Sequence, residues 1–420
     1  MKKVLLYGSK LSYNFGGPCI FFSTIKLFPK DLYEVSFYPQ SPEDNLELID
    51  YYKSKSNVKF IKAPRQRYLF LAFFWLTISS ILPKKISKLL ISKIQKKNPY
   101  CHMINEFDLV CDIRGISQTD FFGNGFKSYI GENMLLGVSN ILGKKTAKLT
   151  QDMGPFNKYS NRKSAQYFFN KYDLVISRGI VTKELLNEIG VSKNVIVKPD
   201  SAFLMDYSNE NALADVFKSY ALNKGKYILI APSKQIDKRS KKNQKTGNSE
   251  YIEETASLIN KILQNYADFD IVLLPNERLK NSKGTDDLTV AKQLKSLSIN
   301  SDKIKIISED FDAFTLKGII SNAHICISSR YHTTVASIST CVPVVVIGWG
   351  YKYDQLLTVS GIPSLIENHK TFNADTFYPI FKTVFDNRDY YSNIISLNVE
   401  EIKKDIYKNV DIINRITENE

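Results

Sequence analysis

Only five cysteines occur in 420 residues, and no two of them stand in C-x-x-C spacing. Neither a redox pair nor a zinc knuckle is written in that pattern, and most of the five (Cys19, Cys101, Cys111, Cys326 and Cys341) sit in apolar runs, where Cys behaves as a small hydrophobe. A reducing compartment is the expectation. Long hydrophobic runs are missing too. The longest, Tyr68 to Leu82, is 15 residues with Thr77, Ser79 and Ser80 inside it, short of the roughly 20 needed to span a bilayer. The opening Met1-Lys2-Lys3 has the charge of a secretory leader, but Val4-Leu5-Leu6-Tyr7 is cut short by Gly8 and reads as a first strand. A cytoplasmic protein is predicted, peripheral at most to the inner face of the membrane. Acid is the scarcer charge: 43 Asp and Glu against 57 Lys and Arg give +14, which favours anionic partners or a solvated lysine-rich surface. Nucleic acid is disfavoured, because the basic residues are not interleaved with exposed aromatics and no nucleic-acid motif is present.

The length implies two to three domains. Short β-branched or apolar runs at 3–7, 34–38, 58–61, 108–113, 145–149 and 173–177 alternate with helical or loop stretches, the pattern of a parallel sheet flanked by helices. A second series begins at Tyr227 and continues through Ile271–Pro275, Ile304–Ile307, His324–Ser328 and Val344–Ile347. The predicted organisation is an N-terminal Rossmann-like domain over 1–205, a polar linker over 206–226, a C-terminal Rossmann-like domain over 227–385, and a helical tail over 386–420. The fold class is α/β, with two doubly wound domains.

The most informative stretch runs from Cys326 to Ala336. A strand stops at Ser328-Ser329-Arg330-Tyr331-His332, small residues follow, and a second strand begins after Pro343. Strand, turn, helix and strand put side chains and free backbone N–H groups at the carboxyl edge of a parallel sheet, where a helix N-terminus favours an anion. Arg330 is a planar cation suited to two-pronged capture of phosphate or carboxylate, and His332 exchanges a proton near neutral pH. An anionic substrate is predicted.

Those residues resemble the Ser-x-Arg-x-His signature of the polysaccharide pyruvyl transferase family. Other marks stand in order. Tyr7-Gly8-Ser9 and Asn14-Phe15-Gly16-Gly17 resemble the first strand and its Asn-x-Gly-Asp turn, with Gly17 in place of the acid. Gln151-Asp152-Met153-Gly154-Pro155 is similar to the Gln-x-x-Gly-Pro segment. Ser177-Arg178-Gly179 resembles an Arg-Asp helix start with Gly179 for the Asp, Pro199-Asp200-Ser201-Ala202-Phe203 resembles an Asp-Pro-Ala-Phe element, and Lys352 falls where the family has a lysine. The strand from Asp108 to Gly115, with Arg114 in place of a glycine and Asp120 after it, resembles an Asp-x-Val-x-x-Gly-Gly strand end with its later acid.

The resemblance covers residues 3 to 362 and implies a GT-B-like fold, two domains facing each other across a cleft, with the tail returning to the first domain. It also implies transfer of a pyruvyl group from phosphoenolpyruvate to a sugar diol, with a cell-envelope polysaccharide or a lipid-linked oligosaccharide as acceptor and no further cofactor or metal. On this reading Arg178 and Arg330 grip the donor, His332 contacts its phosphate and Asp120 delivers the proton. Asn14, Gly16, Arg114, Tyr331 and Lys352 complete the substrate-binding set. Two other functions are open to the same sequence: a GT-B glycosyltransferase using a nucleotide sugar, which the glycine and arginine replacements keep open, and a non-catalytic envelope-assembly partner, against which Arg330 and His332 argue.

Three further features are singled out. Ile86, Leu89, Leu90 and Ile94 recur at helical spacing among Lys84, Lys85, Lys88, Lys93, Lys96 and Lys97, just after the aromatic run Phe70–Trp75. The segment 68–97 reads either as a membrane-surface element meeting anionic lipid or as a helix packed on the first sheet. Residues 233–249 carry six cations and read as a solvated insertion or an anion lid. Asp310 to Asp312 reads as a helix cap rather than a metal site, and Asn276-Glu277 with Asp286-Asp287 reads as polar acceptors or a capped loop.

Overall fold

The β-branched runs pair as two all-parallel sheets in the computed structural model, which describes residues 1–39, 46–122, 125–278 and 286–418. In the first sheet β1 Lys2–Tyr7, β2 Tyr33–Tyr38, β3 Lys59–Phe60, β4 Leu109–Asp112, β5 Ile116–Ser117, β6 Lys145–Met153, β7 Leu174–Arg178 and β8 Val195–Lys198 take the order β3-β2-β1-β4-β6-β7-β8, with β5 against β6. In the second, β9 Tyr227–Ala231, β10 Asp270–Leu273, β11 Ile304–Ile306, β12 Ile325–Ser328, β13 Val344–Gly348 and β14 Ile366–Asn368 run β11-β10-β9-β12-β13-β14. Strands β4, β9, β12 and β13 are buried along their whole length. That is why they read as continuous apolar runs rather than as alternation.

Each sheet reverses its order once, between β1 and β4 and between β9 and β12. At such a reversal the loops leaving the two strands run to opposite faces of the sheet, and the carboxyl edge there is where open α/β sheets take their ligands.

The chain divides into two units, one of Met1–Lys10, Ser23–Ser201 and Asp405–Glu420, the other of Leu11–Phe22 and Ala202–Lys404. Two boundaries differ from those read in the sequence. Leu11–Phe22, inside the expected first domain, belongs to the second unit, where Phe15 N donates to Asn276 O at 3.1 Å. The stretch expected as a linker contains the helix Glu210–Ser219, capped by Asn209. Its Leu213 and Val216 are buried, a stripe too narrow to stand out from the polar residues around it. The tail forms one helix, Arg388–Glu418, whose last part returns to the first unit. There Tyr33 Oη donates to Asn414 Oδ1 at 2.6 Å and Lys198 pairs with Asp405 at 2.7 Å.

Residues 233–249 are not the anchorless insertion expected. The short helix Lys234–Asp237 buries Ile236 completely, and Asn243 Nδ2 donates to the Glu253 carboxylate at 3.0 Å. A single isoleucine among six cations carries no periodic signal.

Candidate functional site

In the second unit, β12 ends at Ser328 and the helix Tyr331–Ser339 begins after two intervening residues. Ser328 Oγ ties the turn, accepting from Arg330 N at 3.2 Å and donating to Arg330 O at 2.8 Å. The Arg330 side chain pairs with Asp287 and reaches Glu277 Oε2 at 3.3 Å. Asp287 is fully buried and also accepts from Lys234 N at 2.8 Å, Asn276 N at 3.2 Å and Glu277 N at 3.0 Å. It is the hub joining the loops after β9, β10 and β12. Burial acts to lower the Arg330 pKa, but the charge of Asp287 outweighs it and raises the value. One donor of the fork, Nε, is buried and has no hydrogen-bond partner among the described residues.

Around Arg330 the same unit gathers most of the residues expected to bind substrate. Asn14 Oδ1 accepts from Gly16 N at 2.7 Å, and Thr333 Oγ1 donates to Asn276 Oδ1 at 2.7 Å. The turn therefore sits beside the start of the Arg330 helix. Gly16 is required by close approach: a Cβ there would stand within 2.6 Å of His332 Cε1. The Tyr331 and His332 rings meet edge to face at 5.5 Å. Lys352 Nζ lies 4.4 Å from the Trp349 ring centroid and 5.4 Å from that of Tyr331. Arg239 approaches the same indole, its guanidinium carbon 4.9 Å from the centroid. Burial pushes the Arg239 pKa down, and the charge of Arg330 lowers it further.

The remaining candidates lie in the first unit, where parallel pairing puts the ends of β4, β6, β7 and β8 on one sheet edge. Arg114 does not present a free fork. Its Nε donates to Asp112 Oδ1 at 3.0 Å and its Nη2 to Asp112 Oδ2 at 2.6 Å, while buried Lys148 reaches the same carboxylate at 2.8 Å. Gly8, with φ of 103°, leaves room for that pair, since a Cβ there would lie 2.7 Å from Asp112 Oδ1. Arg178 is buried between Asp152 and Asp200, the latter at 2.6 Å. It holds together the ends of β6 and β7 and the segment after β8. Gly179, standing where the family has an acid, takes φ of 88°, a conformation that side chains resist. Asp120 opens a short 3₁₀ turn and accepts from Tyr129 Oη at 2.9 Å, Lys158 N at 2.9 Å and Asn161 Nδ2 at 3.1 Å.

Sequence reasoning left open or missed four of these participants. Asp287 and Glu277 were in view as loop acceptors, but their pairing with Arg330 depends on three loops meeting. Arg239 was counted among the loop cations, and only its position on Trp349 separates it from the lysines nearby. Trp349 itself follows β13 directly and could have been flagged as an aromatic at the carboxyl edge.

Comparison with known proteins bears on this geometry. The family model described as polysaccharide pyruvyl transferase matches residues 14–351, a span that includes the Asn14 turn, both arginines, His332 and the start of the helix carrying Lys352. The amylovoran biosynthesis protein AmsJ of Erwinia amylovora is 22% identical over 304 residues, covering 71% of this chain and 70% of its own. Solved structures share the fold, and two of them illustrate it. S. aureus MnaA, solved with UDP, has a TM-score of 0.56 at 13% identity over 94% of this chain and 91% of its own. Anabaena HepE in complex with UDP-glucose has 0.58 at 10% identity over 100% and 99%. The architecture is GT-B-like, and the chain belongs to the polysaccharide pyruvyl transferase family.

Proposed function

We propose that the protein is a ketal pyruvyl transferase that moves the pyruvyl group of phosphoenolpyruvate onto two hydroxyls of a sugar in a cell-envelope polysaccharide or its lipid-linked precursor. The methylene carbon of the donor takes a proton, the two sugar oxygens bond to the adjacent carbon, and phosphate departs. One hydroxyl proton offsets the proton taken up by the methylene and the other leaves with phosphate.

The observation that carries this reading is the Arg330-Tyr331-His332 turn, with His332 held against Gly16 at the carboxyl edge of the second sheet. The reaction needs cations for a three-carbon dianion and a group that eases phosphate departure. His332 is assigned to the phosphate. Arg330 is largely engaged by Asp287, so its fixed charge contributes in place of a free fork, together with Nε, which no described residue takes up. Lys352 and Arg239 share the Trp349 ring, and among the described residues no carboxylate pairs with Arg239. These two are assigned to the donor carboxylate and phosphate, which would relieve the mutual repulsion of the cations. Asp120 is assigned as the proton donor on the strength of the family resemblance.

The test is product mass after incubation with phosphoenolpyruvate and host envelope oligosaccharides. A gain of about 70 Da with release of phosphate is expected, that being the mass of a pyruvyl ketal. A hexose-sized gain with UDP-glucose in place of phosphoenolpyruvate would move the protein to the glycosyltransferases, and no gain with either donor would leave a non-catalytic assembly role.

A further inference from the structure

In the first unit the helix Gln66–Ser80 is apolar on both sides. Leu69, Ala72, Leu76 and Ser79 recur at three- and four-residue spacing and form its buried stripe. On the opposite side Phe70, Leu71, Phe74 and Trp75 are 58, 43, 46 and 52% exposed. The turn after it leaves Ile81 81% exposed, and the next helix, Lys84–Lys97, has no buried residue. The apolar set expected on that helix splits. Ile94 packs with Ile91 against the core, whereas Ile86 and Leu89 stay 51 and 72% exposed. Isolated exposed hydrophobics need no explanation, but a run of large ones on two consecutive helices marks an interaction surface.

The charge around this face is one-sided. No Asp or Glu stands between Asp50 and Glu106, while twelve Lys and Arg do. Among the described residues, Lys84, Lys85, Lys88, Lys93, Lys96 and Lys97 make no ion pair. A second copy of the chain is a poor occupant, because it would bring two such cationic faces together. Nucleic acid is poor as well, since aliphatic Leu71, Ile81 and Leu89 offer no stacking surface for bases.

We propose that this face docks the protein on an anionic lipid bilayer. Phe70, Phe74, Trp75 and Leu89 lie at the headgroup boundary and the lysines of the second helix lie against lipid phosphates. The proposal goes beyond the transferase assignment and stands or falls without it, because it is read by binding alone.

The full chain is sedimented with phosphatidylcholine vesicles with and without phosphatidylglycerol, while Trp fluorescence is recorded. Binding is expected with the anionic vesicles only and should fall as salt rises, with a blue shift that the Trp75→Phe variant loses although Trp349 remains. Replacing Lys84, Lys85 and Lys88 by Gln should weaken binding on the order of a hundredfold, and Phe74→Ser should weaken it with no change in melting temperature. Equal binding to both vesicles, binding to neither, or a wild-type dimer in solution that Phe74→Ser dissociates would each overturn the proposal. So would tighter retention on single-stranded DNA than on anionic vesicles.

Discussion

At the scale of single residues, Gly16 and Asp120 give the sharpest tests. In Gly16→Ala the new methyl group would meet the His332 ring, which must swing away because the methyl is fixed to the backbone. A misplacement of about 1 Å costs on the order of a hundredfold in rate. Turnover should drop by that factor while the melting temperature hardly moves, and an unchanged rate would remove His332 from the reaction. Asp120→Asn keeps the side-chain shape but cannot deliver a proton to carbon. Turnover should vanish while calorimetry still detects phosphoenolpyruvate binding. Lost binding with a normal melting curve would instead make Asp120 an anchor for Tyr129, Lys158 and Asn161. Arg330→Lys is expected to lose about 2 to 4 kcal/mol of transition-state stabilisation, as for removal of one positioned donor. An ammonium can still face Asp287, so the variant should fold. Near-normal turnover would argue that Arg239 and Lys352 suffice.

At the scale of elements, the end of β4 is joined to the middle of β6 by buried ions. Burial acts to raise the Asp112 pKa, but Arg114 and Lys148 outweigh it and hold the carboxyl well below the usual carboxylate range. A folded-state value below the unfolded one, about 3.9, means that the unfolded chain binds more protons between the two. The stabilisation is therefore complete above about pH 4 and fades as pH falls below it. Asp112→Asn should remove this acid-sensitive component. At neutral pH it should also cost about 3 to 5 kcal/mol, because Arg114 and Lys148 stay buried without a counter-charge. Urea unfolding at neutral and acid pH measures both effects, and equal pH dependence in the two proteins would show that the cluster is not the acid-labile element.

At the scale of the molecule, the last helix serves both units. Beyond Lys404 it contributes fully buried Ile406 and Ile413 to the first unit, and Asn414 and Thr417 take the Tyr33 hydroxyl. Truncation after Lys404 should destabilise that unit by about 3 to 6 kcal/mol, the worth of two buried isoleucines. With two units, unfolding need not be a single transition. Scanning calorimetry should show one transition moved to lower temperature and the other retained; a uniform shift of the whole profile would mean that the units unfold together.

The amino-acid sequence by itself determined what local chemistry decides. Both parallel sheets were legible because strands buried on two faces must be continuously apolar, and the Arg330-Tyr331-His332 turn was legible because a strand end, a cation and an imidazole stand within a few residues. Strands β5, β8 and β14 were not read, being two to four residues long or mixed in polarity. Only the tertiary structure decided which charges are already spent. Arg178 and Arg330 look like Arg114 in sequence, yet whereas Arg114 turns back on Asp112 two residues before it, they meet acids brought by other segments: Asp152 and Asp200 from two strand ends, Asp287 from the start of the helix after β10. Arg239, read as one more loop cation, meets an indole and the field of another arginine instead. A side chain's charge is set by its own chemistry, but its partner is set by distance in the folded chain, and contacts spanning tens of residues leave no local pattern in the sequence.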